Sequence, residues 1–408
     1  MESAFAVLTP PGRGGIAVVR CVGPAVEAAL AQCFRPALPH PGRLAYGHVV
    51  GADERPIDEV ILYSAGVGGV RECPAASAAG SVKAGERAAG AIFEVNCHGG
   101  PAAVRAVCER LAAAGLREVD GDRLMQLEGL PRIARDARRA LRRAFTPLAA
   151  RILLDQLGGA LAVAIRDALS SLAPVRGGSG DPPRTASYPG VFAAIDALLG
   201  RWRTCGRFLA DPPRIVIAGR PNSGKSTFFN RLLGAERAIT SAAPGTTRDY
   251  VEAEAALEGA PAVLVDTAGL REPGGEIERQ GIERAQAELA RATVVVYLVD
   301  AGEPASPEDE AQVAELGDRA LVVLSKIDSR LAASQRRARF STALSALTGE
   351  GIPDLVTAVL EKLIWLAPAP GEAVPFTADQ AAALTAAREA LAAGRADEAA
   401  ARLKALLE

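Results

Sequence analysis

Aromatic residues make up only 4% of this 408-residue sequence, with 2 Trp and 5 Tyr. That leaves little for a base-stacking platform of the kind that grips single-stranded nucleic acid. Net charge is also small: 46 Lys and Arg against 48 Asp and Glu leave −2. The balance excludes a chain that wraps nucleic acid along its whole length or coats an anionic membrane. No stretch free of Asp, Glu, Lys and Arg exceeds eleven residues. A membrane-crossing helix needs about 20 apolar residues, so no membrane partner is expected. The six cysteines (Cys21, Cys33, Cys73, Cys97, Cys108, Cys205) stand far apart with no CxxC pair. This argues against zinc and against a disulfide framework, and it suits a reducing, cytoplasmic setting. Near Glu2 there is no basic segment ahead of an apolar run, so a secretory signal is not expected. What the sequence has is 49% hydrophobic residues, enough for packed cores in two to three domains at roughly 150 residues each.

Four zones stand out. Residues 1–115 carry apolar segments separated by turn residues. IAVVRCV (16–22), DEVILYSAGV (58–67) and AIFEVNC (91–97) read as strands, with helices near 25–34 and 101–114, an α+β pattern. The small polar run 70–90 reads as a loop. Residues 116–210 are mostly helical, interrupted over 174–190 by PVRGGSGDPPRTASYPG, which has too many Pro, Gly and Ser to continue a helix. The basic cluster Arg132–Arg143 is either the solvated face of a helix or a place for RNA phosphates. Residues 211–366 alternate buried apolar strands (RIVIAG, AVLVDTAG, TVVVYLVDA, ALVVLSKID) with helical segments, the pattern of a parallel-type sheet flanked by helices. Residues 367–408 are Ala-rich and predict a helix or a helical hairpin.

The phrase Gly219-Arg220-Pro221-Asn222-Ser223-Gly224-Lys225-Ser226, with Thr227 next, follows one strand and opens a helix. It is a P-loop. Glycines let backbone N–H groups turn inward around phosphate oxygens, and the helix N-terminus adds its positive end. Lys225 brings a full charge to the phosphates, and the Ser226 hydroxyl is placed for Mg²⁺. Asp266-Thr267-Ala268-Gly269 ends the strand AVLVD about forty residues on. There a carboxylate can hold Mg²⁺ through water, and the Gly N–H can reach a γ-phosphate. Ser325-Lys326-Ile327-Asp328 follows ALVVL. The Asp328 carboxylate can accept from guanine N1 and N2, a donor pair that adenine lacks. Ser325 stands where Asn is usual, and its shorter hydroxyl makes fewer bonds to the P-loop backbone. Ser345-Ala346-Leu347 fits a loop that backs the base, and Gly245-Thr246-Thr247-Arg248-Asp249 fits a switch loop whose Thr247 reaches Mg²⁺. Five motifs in this order predict a GTPase that binds GTP and GDP.

Beyond these motifs the chain resembles the MnmE (TrmE) family of tRNA-modification GTPases. The resemblance rests on Thr9-Pro10-Pro11-Gly12-Arg13-Gly14-Gly15, on Cys97-His98-Gly99-Gly100-Pro101, on Leu270-Arg271-Glu272, and on the run Glu276–Ala285. It implies a dimerising, folate-binding N-terminal domain and a G domain inserted into a helical domain. It also implies a partner resembling MnmG and action on the wobble uridine of tRNA. Asn222, Ser241, Ala243 and Thr246 would be potassium ligands, and Glu278 would help place the attacking water beside Lys225. Bland readings stand next to these: Glu278 as a helix-start surface residue, Asn222 as a shaper of the loop. Arg20 and Glu94 match folate contacts, but the family's folate-binding Lys has no counterpart in REVDGDRLMQLEGLP, so tetrahydrofolate binding is doubtful. His98 is either a pocket residue or a hydrogen-bonded turn residue.

Three functions follow as expectations. The first is the family's role in wobble-uridine modification. The second is a diverged GTPase switch without that chemistry, favoured by the ending LKALLE in place of a Cys-Ile-Gly-Lys segment. The third is a ribosome-assembly GTPase like Der or Era, which calls for a second G domain or a basic RNA-binding module that the sequence does not display.

Overall fold

The computed structural model describes residues 2–10, 12, 14–67, 90–172, 188–235, 252–267, 276–303, 306–329 and 340–408, with backbone only for 67, 235 and 276–282. Most of the runs 70–90 and 174–190, read above as loops, lies outside them. The chain divides into one unit over Met1–Arg135 and a second over Asp136–Leu407.

The first unit is built on strands β1 (Ala4–Val7), β2 (Ile16–Gly23), β3 (Phe34–Arg35), β4 (Leu44–Val50), β5 (Pro56–Val67), β6 (Ala91–His98) and β7 (Arg117–Glu118). Helices α1 (Val26–Cys33), α2 (Pro101–Ala113) and α3 (Gly121–Leu127) join them, and α4 (Arg132–Leu141) runs across the unit boundary. The sheet order is β3-β4-β5-β6-β2-β1-β7, antiparallel throughout except for the β1–β7 pair. Strand period decides which side each residue serves. Val19, Cys21, Phe93 and Val95 pack with Leu30 of α1 and Leu111 of α2. Val22 and Ile92 pack instead against Leu124 of α3. Arg20 and Glu94 share the α3 side by the same parity and face each other in the β2–β6 register. On α4 the apolar stripe Ile133, Ala134, Ala137 and Ala140 is buried, and Arg139 pairs with Asp136 at 3.1 Å.

The second unit opens with α5 (Pro147–Leu157), α6 (Ala160–Leu172), α7 (Pro189–Arg201), a π-helical turn over Trp202–Gly206, and α8 (Arg207–Ala210). The run AARILLDQLGGALAVAIRDALSSL, within the mostly helical zone, forms two helices bent by 44° at Gly158-Gly159; Gly159 has φ +103, which an L side chain rarely adopts. No single helix among the described residues is long and apolar enough to cross a membrane. The α/β layer follows: β8 (Arg214–Gly219), α9 (Lys225–Ala235), β9 (Glu252–Leu257), β10 (Ala260–Asp266), α10 (Glu276–Arg291), β11 (Val294–Asp300), α11 (Pro307–Leu316), β12 (Ala320–Ser325), β13 (Thr342–Ala343) and α12 (Ile352–Leu363). Its order is β13-β12-β11-β8-β10-β9. Five strands run parallel, but β9 runs antiparallel to β10, so the parallel-type sheet expected from the sequence is mixed. The C-terminal Ala-rich run is a hairpin, α13 (Ala378–Ala392) and α14 (Ala396–Lys404), and Thr377 caps α13 by accepting from the Gln380 N–H.

The α/β layer joins the helices where two chain segments meet. Leu366 N–H donates to the Thr204 carbonyl at 3.2 Å, and Arg207 donates to the Leu363 carbonyl at 3.1 Å. Gly206 lies against the Pro375 carbonyl, so close that a Cβ there would collide with it. Gly206→Ala is therefore expected to lower stability by roughly 1–3 kcal/mol, the usual cost of forcing a methyl group into a packed site. A urea midpoint equal to that of the unsubstituted protein would refute the contact.

Candidate nucleotide site

The P-loop occupies the turn between β8 and α9, and its backbone needs its glycines. Gly219 has φ +138 and Gly224 φ +93. A Cβ on Gly219 would strike the Leu298 carbonyl of the neighbouring strand. Asn222 also has a positive φ, +65, a conformation Asn tolerates better than most residues. Such turns aim successive N–H groups into one hollow, which is where an anion sits. Lys225 is 7% exposed, and its Nζ donates to the carbonyls of Gly219 at 3.0 Å and Arg220 at 2.7 Å. The ammonium is thereby held under the loop.

β10 pairs with β8 so that Asp266 lies opposite Ile217, at the same sheet edge as the P-loop. Ser226 Oγ donates to Asp266 Oδ2 at 2.8 Å, and Asp266 is 3% exposed. Two hard oxygen donors side by side, next to a phosphate hollow, fit Mg²⁺. Thr267 directs its hydroxyl to the Ile217 carbonyl at 2.8 Å, so that side chain braces the sheet. Thr227 is exposed on the first turn of α9, and Ser223 is buried.

The third motif lies across the loop. Ser325 ends β12 and donates to the Ser223 carbonyl at 2.8 Å and the Val299 carbonyl at 3.1 Å. One proton serves both acceptors, so a single forked donor ties β12 to the P-loop. Lys326, at φ +59, pairs its Nζ with Asp300 Oδ2 at 2.7 Å. Asp328 is exposed just beyond. The backing loop is ordered around Ser345, whose Oγ accepts from Thr348 N–H at 3.1 Å and whose carbonyl accepts from Gly349 N–H at 2.9 Å. Ala346 is partly buried against the core, and Leu347 is 73% exposed. Asn222, Lys225, Ser226, Asp266 and Ser325 thus gather at one end of the sheet. Ser241, Ala243, Thr246, Thr247, Ala268 and Gly269 lie outside the described residues, and Glu278 is described only as backbone of α10.

Asp300 was absent from the sequence reading. Its signal was there: a lone carboxylate ending the otherwise apolar strand VVVYLVD. Burial pushes its pKa upward, but the Lys326 hydrogen bond, the Gly302 N–H and the Lys326 charge together hold it below the usual carboxylate range.

In the first unit Arg20 donates to Glu94 at 2.8 Å, and its Nε lies 2.8 Å from Glu128. The two folate candidates therefore hold each other. His98 pairs with Asp58, Nδ1 to Oδ1 at 2.6 Å, from the end of β6 and not from a turn. Burial pushes the Cys97 and Cys108 thiols up to about 11 and Cys205 up to about 12, so none of these is a ready nucleophile at neutral pH.

A family model described as a 50S ribosome-binding GTPase matches residues 214–326, from the start of β8 to Lys326. Similarity extends much further. The tRNA modification GTPase MnmE of Chloroflexus aurantiacus is 34% identical over 391 residues, spanning 89% of this chain and 82% of that protein. This chain belongs to the MnmE family. The MnmE of Thermus thermophilus is 35% identical over 405 residues, spanning 95% of this chain and 88% of its own. That of Parasynechococcus marenigrum is 35% identical over 380. Within this MnmE-family chain, the region around the P-loop has the P-loop GTPase fold, a mixed sheet with helices.

Proposed function

We propose that this chain binds and hydrolyses GTP and that its GTPase cycle serves tRNA modification. The observation that carries the reading is the pairing of Ser226 Oγ with Asp266 Oδ2 at 2.8 Å beside the buried Lys225. It brings a cation for phosphate and two oxygens for a divalent metal into one hollow. Lys225 and the N–H groups of Ser223 to Thr227 hold the phosphates. Ser226, Asp266 and Thr247 would hold Mg²⁺. When bound, Mg²⁺ draws charge from the phosphate oxygens and lowers the cost of the leaving group. Lys326 and Asp328 hold the guanine, Ser325 ties their loop to the P-loop, and Ser345, Ala346 and Leu347 back the base. Glu278 orients the attacking water. Family membership supports the wider reading: a homodimer through the N-terminal domain, an MnmG-like partner, and a wobble uridine in tRNA as the modified group. The test is complementation of a bacterial strain lacking MnmE, with the wobble nucleoside read by mass spectrometry. Unmodified uridine despite active, expressed protein would reject the tRNA role while leaving the GTPase intact.

Asn222, together with Ser241, Ala243 and Thr246, is proposed to hold potassium, which would supply positive charge beside the phosphates. Asn222 is exposed at the crest of the loop and offers a side-chain oxygen to such an ion. GTP turnover is expected to be faster in potassium than in sodium, and the ratio should grow with protein concentration if two G domains must meet. Equal rates in both salts across concentrations would reject the potassium role.

A further inference from the structure

We infer that Asp300 is a positioning residue for guanine-nucleotide binding, acting through Lys326. The inference rests on the GTP-binding reading above.

The loop after β12 has two anchors. The first is the Ser325 hydroxyl, whose one proton is divided between the carbonyls of Ser223 and Val299. Backbone adds little across this gap: Ala301 N–H donates to the Ser325 carbonyl at 2.9 Å, and Ile327 N–H reaches Leu344 at 3.3 Å. The second anchor is the Lys326–Asp300 ion pair at 2.7 Å. β11 and β12 run parallel with Asp300 opposite Ser325, so the carboxylate stands next to the loop it fastens. Asp300 is itself fixed by the Gly302 N–H at 2.8 Å, and its side chain is 18% exposed. It is a rigid post.

The post sets where Lys326 runs. The backbone of Lys326 is left-handed, at φ +59, which costs energy for a side chain of this kind and persists only where surroundings fix it. With Nζ held at Asp300, the aliphatic stem passes beside the P-loop. A Cβ built on Gly224 would lie 3.8 Å from Lys326 Cε. The stem is thus laid against the phosphate loop on one side and leaves its other side for a planar base. A charge-free Asp300 releases the ammonium, and the stem and the loop carrying Asp328 lose their fixed path. The hydrogen bonds of Asp300 run to Lys326 and to Gly302 N–H and not to Lys225, Ser226 or Asp266, so its effect falls on holding the base.

The test is a double-substitution cycle on the full chain, read by the dissociation rate of a fluorescent GDP in stopped flow. Asp300→Asn keeps an oxygen to accept from Gly302 N–H and removes only the charge. It is expected to speed GDP release roughly three- to fivefold, the upper part of the range for a partly exposed ion pair, with KM for GTP rising by a similar factor and kcat carrying less of the change. Lys326→Met keeps the stem length and removes the ammonium, and it should speed release by a comparable factor. The decisive result is the pair together: in the Lys326→Met background, Asp300→Asn should add less than twofold. Effects that multiply in full, with melting temperatures matching the parent, would overturn the inference by showing that Asp300 acts elsewhere. A release rate unchanged by Asp300→Asn alone would overturn it too. Failure of the parent chain to bind fluorescent GDP at all would strike the GTP reading instead, and the two failures are distinct.

Discussion

Lys225→Ala is expected to fold and to lose tight GTP binding. The side chain is 7% exposed, with its Nζ bonded to two P-loop carbonyls, Gly219 at 3.0 Å and Arg220 at 2.7 Å. Those bonds are to uncharged acceptors, and their loss is a modest cost to the loop. The phosphates are a different matter. Truncating one partner of a buried, hydrogen-bonded charge pair costs about 2–5 kcal/mol, or roughly thirty- to a few-thousand-fold in affinity. Lys225→Arg should not rescue it, because a planar fork cannot sit where one compact ammonium fits beneath the loop. Titration with fluorescent GDP, beside a melting curve, checks this. Affinity within threefold of the parent would refute the role given to Lys225.

Asp328→Asn is expected to exchange one purine preference for another. The parent should favour GTP if, as proposed, the carboxylate accepts from guanine N1 and N2. Asparagine keeps one acceptor and gains a donor, which suits the C2 carbonyl of xanthine. Each charge-assisted bond lost to guanine costs about 1.5–3 kcal/mol, and a buried donor left unpaired adds to the bias. The ratio of GTP to XTP turnover should therefore fall by about a hundredfold or more. A variant that loses both nucleotides equally would show that Asp328 holds the loop and does not read the base. Both outcomes are visible in a single steady-state comparison of the two nucleotides.

The site was legible in the sequence to the extent that its parts are local. Gly219 to Ser226 must be consecutive to turn around a phosphate, and Asp266 had to end a buried strand to reach the same edge. Both constraints act over a few residues and leave a written pattern. The strands β8, β10, β11 and β12 were legible as continuous apolar runs. β9 was not: EAEAAL has no β-branched residue and exposes its glutamates, so its strand character comes from pairing with β10 across the Glu258-Gly259 turn. β4 was hidden by Gly47, an unlikely strand residue by propensity. It is explained only by the backbone of Arg35 pressing against it, where a Cβ would not fit. The pairings that bring distant residues together left no trace at all. Arg20 with Glu94, 74 positions apart, Ser325 with Ser223, 102 apart, and Lys326 with Asp300, 26 apart, depend on strand register and on which side of a sheet each residue serves. No window along the chain contains them.

The joint at Thr204–Leu366 fixes an order of events on the ribosome. The helices α6 and α7 pack against α13 and α14, yet α7 ends at Arg201 and α13 begins at Ala378. At about 5–20 residues per second, the intervening stretch takes roughly 10–35 s to emerge. During that time the nucleotide-binding layer has all its strands and can close its own core. The first helices can pack on one another, α6 against α5 and α7, but lack α13 and α14 to cover the rest of their apolar faces. The faces of α6 and α7 that α14 and α13 cover stay exposed until those helices emerge, so within the second unit the helical portion is the part most in need of a chaperone. Within the second unit, the emergence of α13 and α14 is the step that completes the helical packing.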